Sequence, residues 1–167
     1  MLDSGEYLRN QLTRQILGGN AFQKVEQVLD LMAYEQIGEK ISGLPYSFWQ
    51  QLEHMRITQK DILDFSTNPD YRELNWPRDY WPASPAPQSM EQWESAKEEF
   101  FRDRQAVVDL ILDPRNDLFK PFAHGSGQTL LREGLLVLEH NAYHTGQLFI
   151  IHRLITEQLD NEHRSSP

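Results

Sequence analysis

Two imidazoles lie four residues apart in the stretch LLVLEHNAYHTGQLFIIHRLI, at His140 and His144. If this stretch is helical, both side chains project from one face, with Cβ atoms about 5–6 Å apart. Two imidazole nitrogens can then bind one metal ion at about 2.0–2.1 Å each. The same stripe is otherwise apolar, and burying two imidazoles without partners is costly. The pair therefore predicts a metal site, with carbonyls, carboxylates or water as the alternative partners of the rings.

A third histidine, His54, lies in another stretch with helical periodicity, SFWQQLEHMRITQKDILDFS. A histidine on this helix could meet the pair in the interior of a helical bundle. Three protein nitrogens would leave a coordination position open for water or substrate, as in catalytic zinc sites. The sequence thus predicts His54, His140 and His144 as ligands of one divalent metal ion. The alternative for His54 is an ordinary, partly buried histidine.

The residues around these histidines exclude two other metal-binding motifs. A zincin needs His-Glu-x-x-His with the glutamate as base, and here Asn141 follows His140. A di-iron carboxylate bundle needs Glu-x-x-His on two helices. The residues three positions before the histidines are instead Gln51, Val137 and Asn141.

Three polar residues near the predicted ligands are candidates for a role in catalysis. Asp61 lies two turns from His54 on a similar face and could accept a hydrogen bond from a ligand histidine or act as a base. Gln147 and Asn141, beside the histidine pair, could orient a ligand or substrate. The alternative for all three is an ordinary polar position on a helix.

The remaining histidines fit a metal site less well. His124 lies in a Gly-rich break, where solvent is the expected partner, although contact with a ligand near the helix start is open. His152 is two turns beyond His144, next to Arg153, and is expected to face outward. His163 belongs to a polar tail.

Composition limits the classes of partner. The 167 residues carry 25 acidic and 16 basic side chains, a net charge of −9, which argues against nucleic acid and an anionic membrane surface. The chain has no cysteine, so thiolate–metal sites and cysteine nucleophiles are excluded, and any reacting thiol must arrive on a substrate. No signal segment or long apolar run is present, which predicts a cytoplasmic protein.

Apolar periodicity predicts one all-α domain over residues 1–167, with no strand-like alternation. Segment 66–88 holds five of the nine prolines and is expected to be a loop, either a lid or a strap whose aromatic residues cover the end of the bundle. Segment 20–42 predicts one bent helix or two short ones, and 160–167 a flexible tail. The four main helices are expected at 3–17, 47–65, 89–112 and 129–158.

The stretches SFWQQLEHMRITQKDIL and GQTLLREGLLVLEHNAYHTGQL resemble the DinB-like superfamily, named for damage-inducible proteins of bacteria. Its pattern is one histidine in the second bundle helix and a His-x3-His pair in the fourth, here His54, His140 and His144. The resemblance covers most of the chain, from the ILGGNA turn through the last helix. It implies a four-helix bundle with long connections, often homodimeric, that binds a divalent metal such as nickel or zinc through these histidines.

Characterised relatives in that superfamily include transferases that use bacillithiol or mycothiol and a mycothiol-dependent isomerase. The resemblance therefore implies an enzyme that transfers a low-molecular-weight thiol to a small electrophilic substrate. A metal with an open position can lower the pKa of a bound thiol, and equally that of bound water. A metal-dependent hydrolase and a non-enzymatic, metal-stabilised stress-response or binding module stay open, because fold-level analogy names no substrate.

Overall fold

The computed structural model describes the backbone of residues 3–165 and the side chains of residues 3–158. Over these residues the chain is all-helical, as predicted, with five α-helices and no strand; an isolated antiparallel bridge joins Pro121 and Thr129. No helix within this range combines the length and the apolar character needed to cross a membrane. The helices are α1 (Ser4–Ile16), α2 (Val25–Leu29), α3 (Phe48–Thr67), α4 (Met90–Leu112) and α5 (Leu130–Ser165).

Side-chain caps explain where three of the helices begin. The Asp3 carboxylate accepts a 2.7 Å hydrogen bond from the backbone N–H of Glu6 at the start of α1. The start of α3 is a capping box, in which Ser47 and Gln50 each accept a 3.1 Å hydrogen bond from the other's backbone N–H. Ser89 caps α4 in the same way as Asp3 caps α1. The capping signals therefore place these helix starts one residue after the predicted ones.

Two connecting segments contain short helical turns. Segment 20–42 holds α2 and a 3₁₀ turn at Tyr34–Gln36. Of the two predictions for this segment, one bent helix or two short ones, the structure is nearer to the second. Segment 66–88, predicted to hold no helix of its own, begins with the last two residues of α3 and is otherwise a loop with a 3₁₀ turn at Arg78–Tyr80. The Asp79 carboxylate stabilises this turn by accepting hydrogen bonds from the backbone and side chain of Asn75, at 3.0 and 2.8 Å.

Helix α5 is longer than predicted. It continues to Ser165, whereas the pattern predicts an end near residue 158, because no proline or glycine interrupts the chain between these positions. The predicted flexible tail at 160–167 and His163 lie outside the residues whose side chains are described.

Helix α3 packs against both α4 and α5, and α1 packs against the same two helices. Phe48, Leu52 and Met55 of α3 are fully buried. Each such side chain contributes about 1.5–3 kcal/mol by leaving water. This burial fixes α3 against α5, the two helices that carry the candidate ligands.

Two further contacts tie α1 and α5 to α4. The Arg9 guanidinium of α1 donates hydrogen bonds of 2.5–3.2 Å to backbone carbonyls at the end of α4 and just after it, where a helix leaves acceptors unpaired. The carbonyls bound by Arg9 are those of Ile111, Asp113 and Asn116. At the other contact, Gly134 lets α5 approach α4 closely, since a Cβ there would lie 2.9 Å from Ile111 of α4.

Candidate metal centre

Three histidines meet where α3 contacts α5. His54 of α3 and His144 of α5 are buried, and His140, one turn before His144, is partly buried. One ring nitrogen from each lies within 4.8 Å of the other two, so the three histidines are close enough to bind one metal ion. The structure thus brings together the three residues that the sequence predicts as ligands.

The separation of the two nearest nitrogens suits a shared cation. Nε2 of His54 lies 3.1 Å from Nε2 of His140. Two imidazole nitrogens bound at about 2.0–2.1 Å to one ion, at angles between octahedral and tetrahedral values, are about 2.8–3.4 Å apart. The centroid of the His144 ring lies 4.7 Å from that of His54 and 4.3 Å from that of His140, so all three rings border one space.

The backbone carbonyl of Tyr80 fixes the tautomer of His54. Nδ1 of His54 lies 3.0 Å from this oxygen, which can only accept a hydrogen bond. Nδ1 of the neutral ring therefore carries the proton, and Nε2 carries the lone pair that faces His140. A carbonyl bonded to the far nitrogen is the usual support of a histidine that binds a metal.

Two glutamines contact Nδ1 of His144. The side-chain oxygen of Gln147 lies 2.6 Å from this nitrogen, and the side-chain amide nitrogen of Gln51 lies 2.5 Å from it. Nδ1 can donate to Gln147 or accept from Gln51, but one nitrogen of a neutral ring cannot do both. When Nδ1 donates to Gln147, the lone pair is on Nε2 and is free to bind a cation. Gln147 is thus the partner that supports metal binding by His144.

Burial lowers the pKa of all three imidazoles. The pKa of His140 falls to about 3, first through burial and then through the charges of His144 and His54. Burial brings the pKa of His144 to about 4, and it also lowers the pKa of His54 against the opposing effect of the bond to Tyr80. The three rings are therefore neutral at pH 7, which is the form that binds metals.

The proline-rich segment 66–88 lies over His54. The ring of Trp81 stacks on that of His54, with 3.9 Å between centroids and 6° between planes. Tyr46 stacks in turn on Trp81 at 4.8 Å, and the exposed ring of Trp76 lies 6.3 Å from His54. The segment therefore supplies an aromatic cover as well as the Tyr80 carbonyl.

The sequence predicts a covering role for Trp76, Tyr80 and Trp81 as one of two alternatives for this segment, but it does not predict two of the supporting groups, the Tyr80 carbonyl and Gln51. The carbonyl lies in a segment without periodicity, where no pattern indicates which backbone group reaches His54. Gln51 could have been found, because it is one turn before His54 and so shares its face of α3.

Asp61 is linked to the histidines through Tyr80. Its two carboxylate oxygens accept hydrogen bonds from the hydroxyls of Tyr71 and Tyr80, at 2.8 and 2.7 Å. Burial and then the bond to Asp61 raise the pKa of both tyrosines, which keeps the hydroxyls protonated as donors. Asp61 thereby anchors the residue whose carbonyl binds His54. Its role as a base stays a prediction.

Asn141 joins a buried chain of hydrogen bonds between helices. Its amide donates to the side-chain oxygen of Gln59 at 2.8 Å, and the Gln59 amide donates to the carbonyl of Phe100 at 2.7 Å. These bonds connect α5, α3 and α4. The predicted role of Asn141 in orienting a ligand stays a prediction.

The two other described histidines have partners elsewhere. His124 lies 2.8 Å from the backbone carbonyl of Phe65 through its Nε2 atom. His152 is partly buried, and its Nδ1 lies 3.4 Å from the sulfur of Met32. Neither belongs to the group of three.

Among the described residues, the three side chains close enough to hold one metal ion, His54, His140 and His144, are all imidazoles. Imidazole is a suitable ligand for zinc, nickel, copper and iron, and three protein ligands leave room for an exogenous one. The neutral rings and their spacing fit such an ion, and so do the hydrogen bonds that orient His54 and His144. The chain matches no protein-family model, no curated protein and no solved structure.

Proposed function

We propose that the protein is a metal-dependent enzyme of the DinB type that transfers a low-molecular-weight thiol to a small electrophilic substrate. His54, His140 and His144 would hold one divalent transition metal ion, with nickel or zinc as the first candidates. The observation that carries the proposal is the convergence of three neutral imidazole nitrogens within 4.8 Å. The resemblance in the stretches around these histidines supplies the choice of thiol transfer.

The chain's own residues would position the ligands and shield the site. The Tyr80 carbonyl holds His54 with its Nε2 lone pair toward His140, and Gln147 accepts the Nδ1 proton of His144. Trp81 covers one face of His54 and excludes water from it. A bound cation would lower the pKa of a thiol beside it and so make the thiol a nucleophile at neutral pH.

The source of the thiol follows from composition. The chain contains no cysteine, so the nucleophilic sulfur must come from a separate small molecule. We further propose that α1, α3, α4 and α5 form the four-helix bundle of this family, and that the protein acts as a cytoplasmic homodimer, as the resemblance implies.

Metal content decides the first part of the proposal. Mass spectrometry on untagged protein should find one equivalent of a transition metal in the wild type and in His152→Ala, a matched control on α5. The metal should be lost in His54→Ala and His144→Ala. Folded protein that takes up no nickel, zinc or manganese would mean that the three histidines serve packing alone.

Thiol binding decides the second part. The absorption spectrum of the nickel- or cobalt-loaded protein should change on titration with a small thiol such as cysteamine, and the change should saturate. If thiols change neither the absorption spectrum of the metal-loaded protein nor its metal affinity, thiol transfer is refuted. Turnover of an ester without any thiol would then identify a hydrolase, and a metal with no exchangeable position would identify a non-enzymatic module.

A further inference from the structure

A cleft of about 230 Å³ lies along α5 beside His144. None of the residues that line it carries a charge, and most are apolar or aromatic. Tyr143 and Ile150 are 63% and 50% exposed, so the cleft presents apolar side chains to solvent. Its principal lining residues are Leu44, Tyr46, Tyr143, Gly146, Gln147 and Ile150.

Gly146 forms an open position within this cleft. A glycine inside a helix is less favourable than alanine because it adds backbone freedom to the unfolded chain. At Gly134, on the same helix, a close neighbour explains the glycine, since a Cβ would lie 2.9 Å from Ile111. At Gly146 a Cβ would meet no atom of the protein within 4 Å. Packing within the chain therefore gives no reason for this glycine, whereas a ligand lying over the helix would.

Two side chains connect the cleft to the candidate metal centre. Gln147 lines the cleft, and its side-chain oxygen lies 2.6 Å from Nδ1 of His144. Tyr143 lines it too, with its ring edge-on to the ring of His144 and 4.8 Å between centroids. A molecule in the cleft would therefore contact residues that touch a candidate ligand.

We infer that this cleft binds the apolar part of a small-molecule substrate, an uncharged aromatic ring or branched alkyl group that lies over Gly146. The volume is below the roughly 300–1,000 Å³ of a site that encloses a whole drug-sized ligand, so the cleft takes one portion of the molecule. The absence of charged lining residues disfavours a carboxylate or ammonium group there. Burial raises the pKa of Tyr46, whose hydroxyl stays neutral and adds no charge.

This assignment deepens the proposed function and rests on it for the statement that the occupant is a substrate. The ability of the cleft to bind an apolar group is independent of the metal. The metal-free 167-residue chain can therefore be used to test it, with metal content measured separately.

Benzyl alcohol is the probe, and methyl NMR signals of Leu44 and Ile150 report its binding. These signals should shift saturably in the wild type and in His54→Ala. Gly146→Leu, which places a side chain in the cleft, should weaken binding at least tenfold, and Gly146→Ala should weaken it less while keeping the fold. Thr156→Leu, on an exposed position of α5 outside the cleft, should leave the affinity unchanged. Benzoate and benzylamine should bind at least tenfold more weakly than benzyl alcohol.

Three results would overturn the assignment. One is the absence of any saturable shift in the wild type, and another is an unchanged affinity in Gly146→Leu. The third is a difference in oligomeric state, measured by sedimentation without probe, in which the wild type is a dimer and Gly146→Leu is a monomer. That result would make the cleft an interface between copies of the chain. A failure of metal binding with probe binding intact would instead refute the proposed function and leave the cleft a site for apolar groups.

Discussion

Nε2 of His54 and Nε2 of His140 lie 3.1 Å apart, although the residues are on different helices and 86 positions apart in the chain. Two ring nitrogens at this distance must share a proton or a cation, because two facing lone pairs repel each other. The Tyr80 carbonyl keeps the proton of His54 on its other nitrogen. A metal ion bound between the two Nε2 atoms would therefore take the place of a shared proton and stabilise the contact between the two helices.

Metal binding should stabilise the folded protein. An ion that binds only the folded state adds about 2.7 kcal/mol to the free energy of unfolding when its concentration is 100 times its Kd. For a chain of this size the rise in Tm would be about 5–10 °C. Calorimetry with nickel or zinc and with a chelator measures this difference. His140→Ala should show no rise, and an equal rise in that variant would place the ion elsewhere.

Gln147 should strengthen metal binding by orienting His144. Loss of a hydrogen-bond partner behind a ligand histidine weakens metal affinity by about 10–100-fold. We expect a loss of this size for Gln147→Ala, and its recovery in Gln147→Glu, which keeps an acceptor. Gln51→Leu should lose less, because the Nδ1–H of a metal-binding His144 does not need the Gln51 amide as donor. Competition titrations with a chromophoric chelator give the affinities; a larger loss in Gln51→Leu would reverse these two assignments.

Asp61 should stabilise the covering segment. Its removal leaves the hydroxyls of Tyr71 and Tyr80 without their acceptor, so we expect Asp61→Ala to lower the free energy of unfolding by about 1–3 kcal/mol. Urea unfolding measures this change. Asp64→Ala removes a carboxylate of α3 that pairs with Lys60 at the surface, and it should cost less than about 1 kcal/mol. Equal stability of the two variants would contradict the anchoring role.

The two glycines of α5 should respond in opposite ways to alanine. Gly134→Ala forces a methyl group against Ile111 and Leu12, and overpacking of this kind costs about 1–3 kcal/mol. Gly146→Ala meets no neighbour and should gain about 0.5–1 kcal/mol from helix propensity. Chemical unfolding of both variants provides the test. A stabilising Gly134→Ala would show that α4 and α5 are not packed as closely as described.

Glu133 should make stability fall as pH rises. This glutamate of α5 is buried, and burial raises its pKa above the value of about 4.5 expected in the unfolded chain, against the opposing effect of Arg132. The folded state therefore holds the proton more tightly, and the stabilising contribution present below pH 4.5 is lost as pH rises through the higher folded pKa.

Glu133→Gln removes this dependence because its side chain is neutral at every pH. The free energy of unfolding of the variant minus that of the wild type should increase between pH 4.5 and 8, measured by urea titration. Glu139→Gln, an exposed position on the same helix, controls for the loss of one negative charge. A difference that decreases with pH would mean that the ion pair with Arg132 outweighs burial.

The sequence predicts the parts of the site that depend on helix geometry. The spacing of His140 and His144 implies a common face, and the apolar repeat around His54 places it on a helix that must bury that face. The start of α3 follows from Ser47 and Gln50, which form a local cap independent of the rest of the fold.

The covering of the site could not be predicted in the same way. Proline and aromatic residues in segment 66–88 exclude a helix, but they do not set which carbonyl reaches His54 or which ring stacks on it. Those contacts depend on the long-range bond between Tyr80 and Asp61, which no local repeat encodes. The sequence pattern underestimates the length of α5, because the end of this helix lacks the glycine or proline that usually marks one.

The bonds from Arg9 to the carbonyls of Ile111, Asp113 and Asn116 join residues more than 100 positions apart. During translation at about 5–20 residues per second, about 5–20 s pass between the synthesis of Arg9 and that of its partners. For that interval the apolar side chains of Leu12 and Ile16, which are buried in the finished fold, have no α4 or α5 to pack against. The nascent α1 is therefore a segment that chaperones can bind before the rest of the chain has left the ribosome.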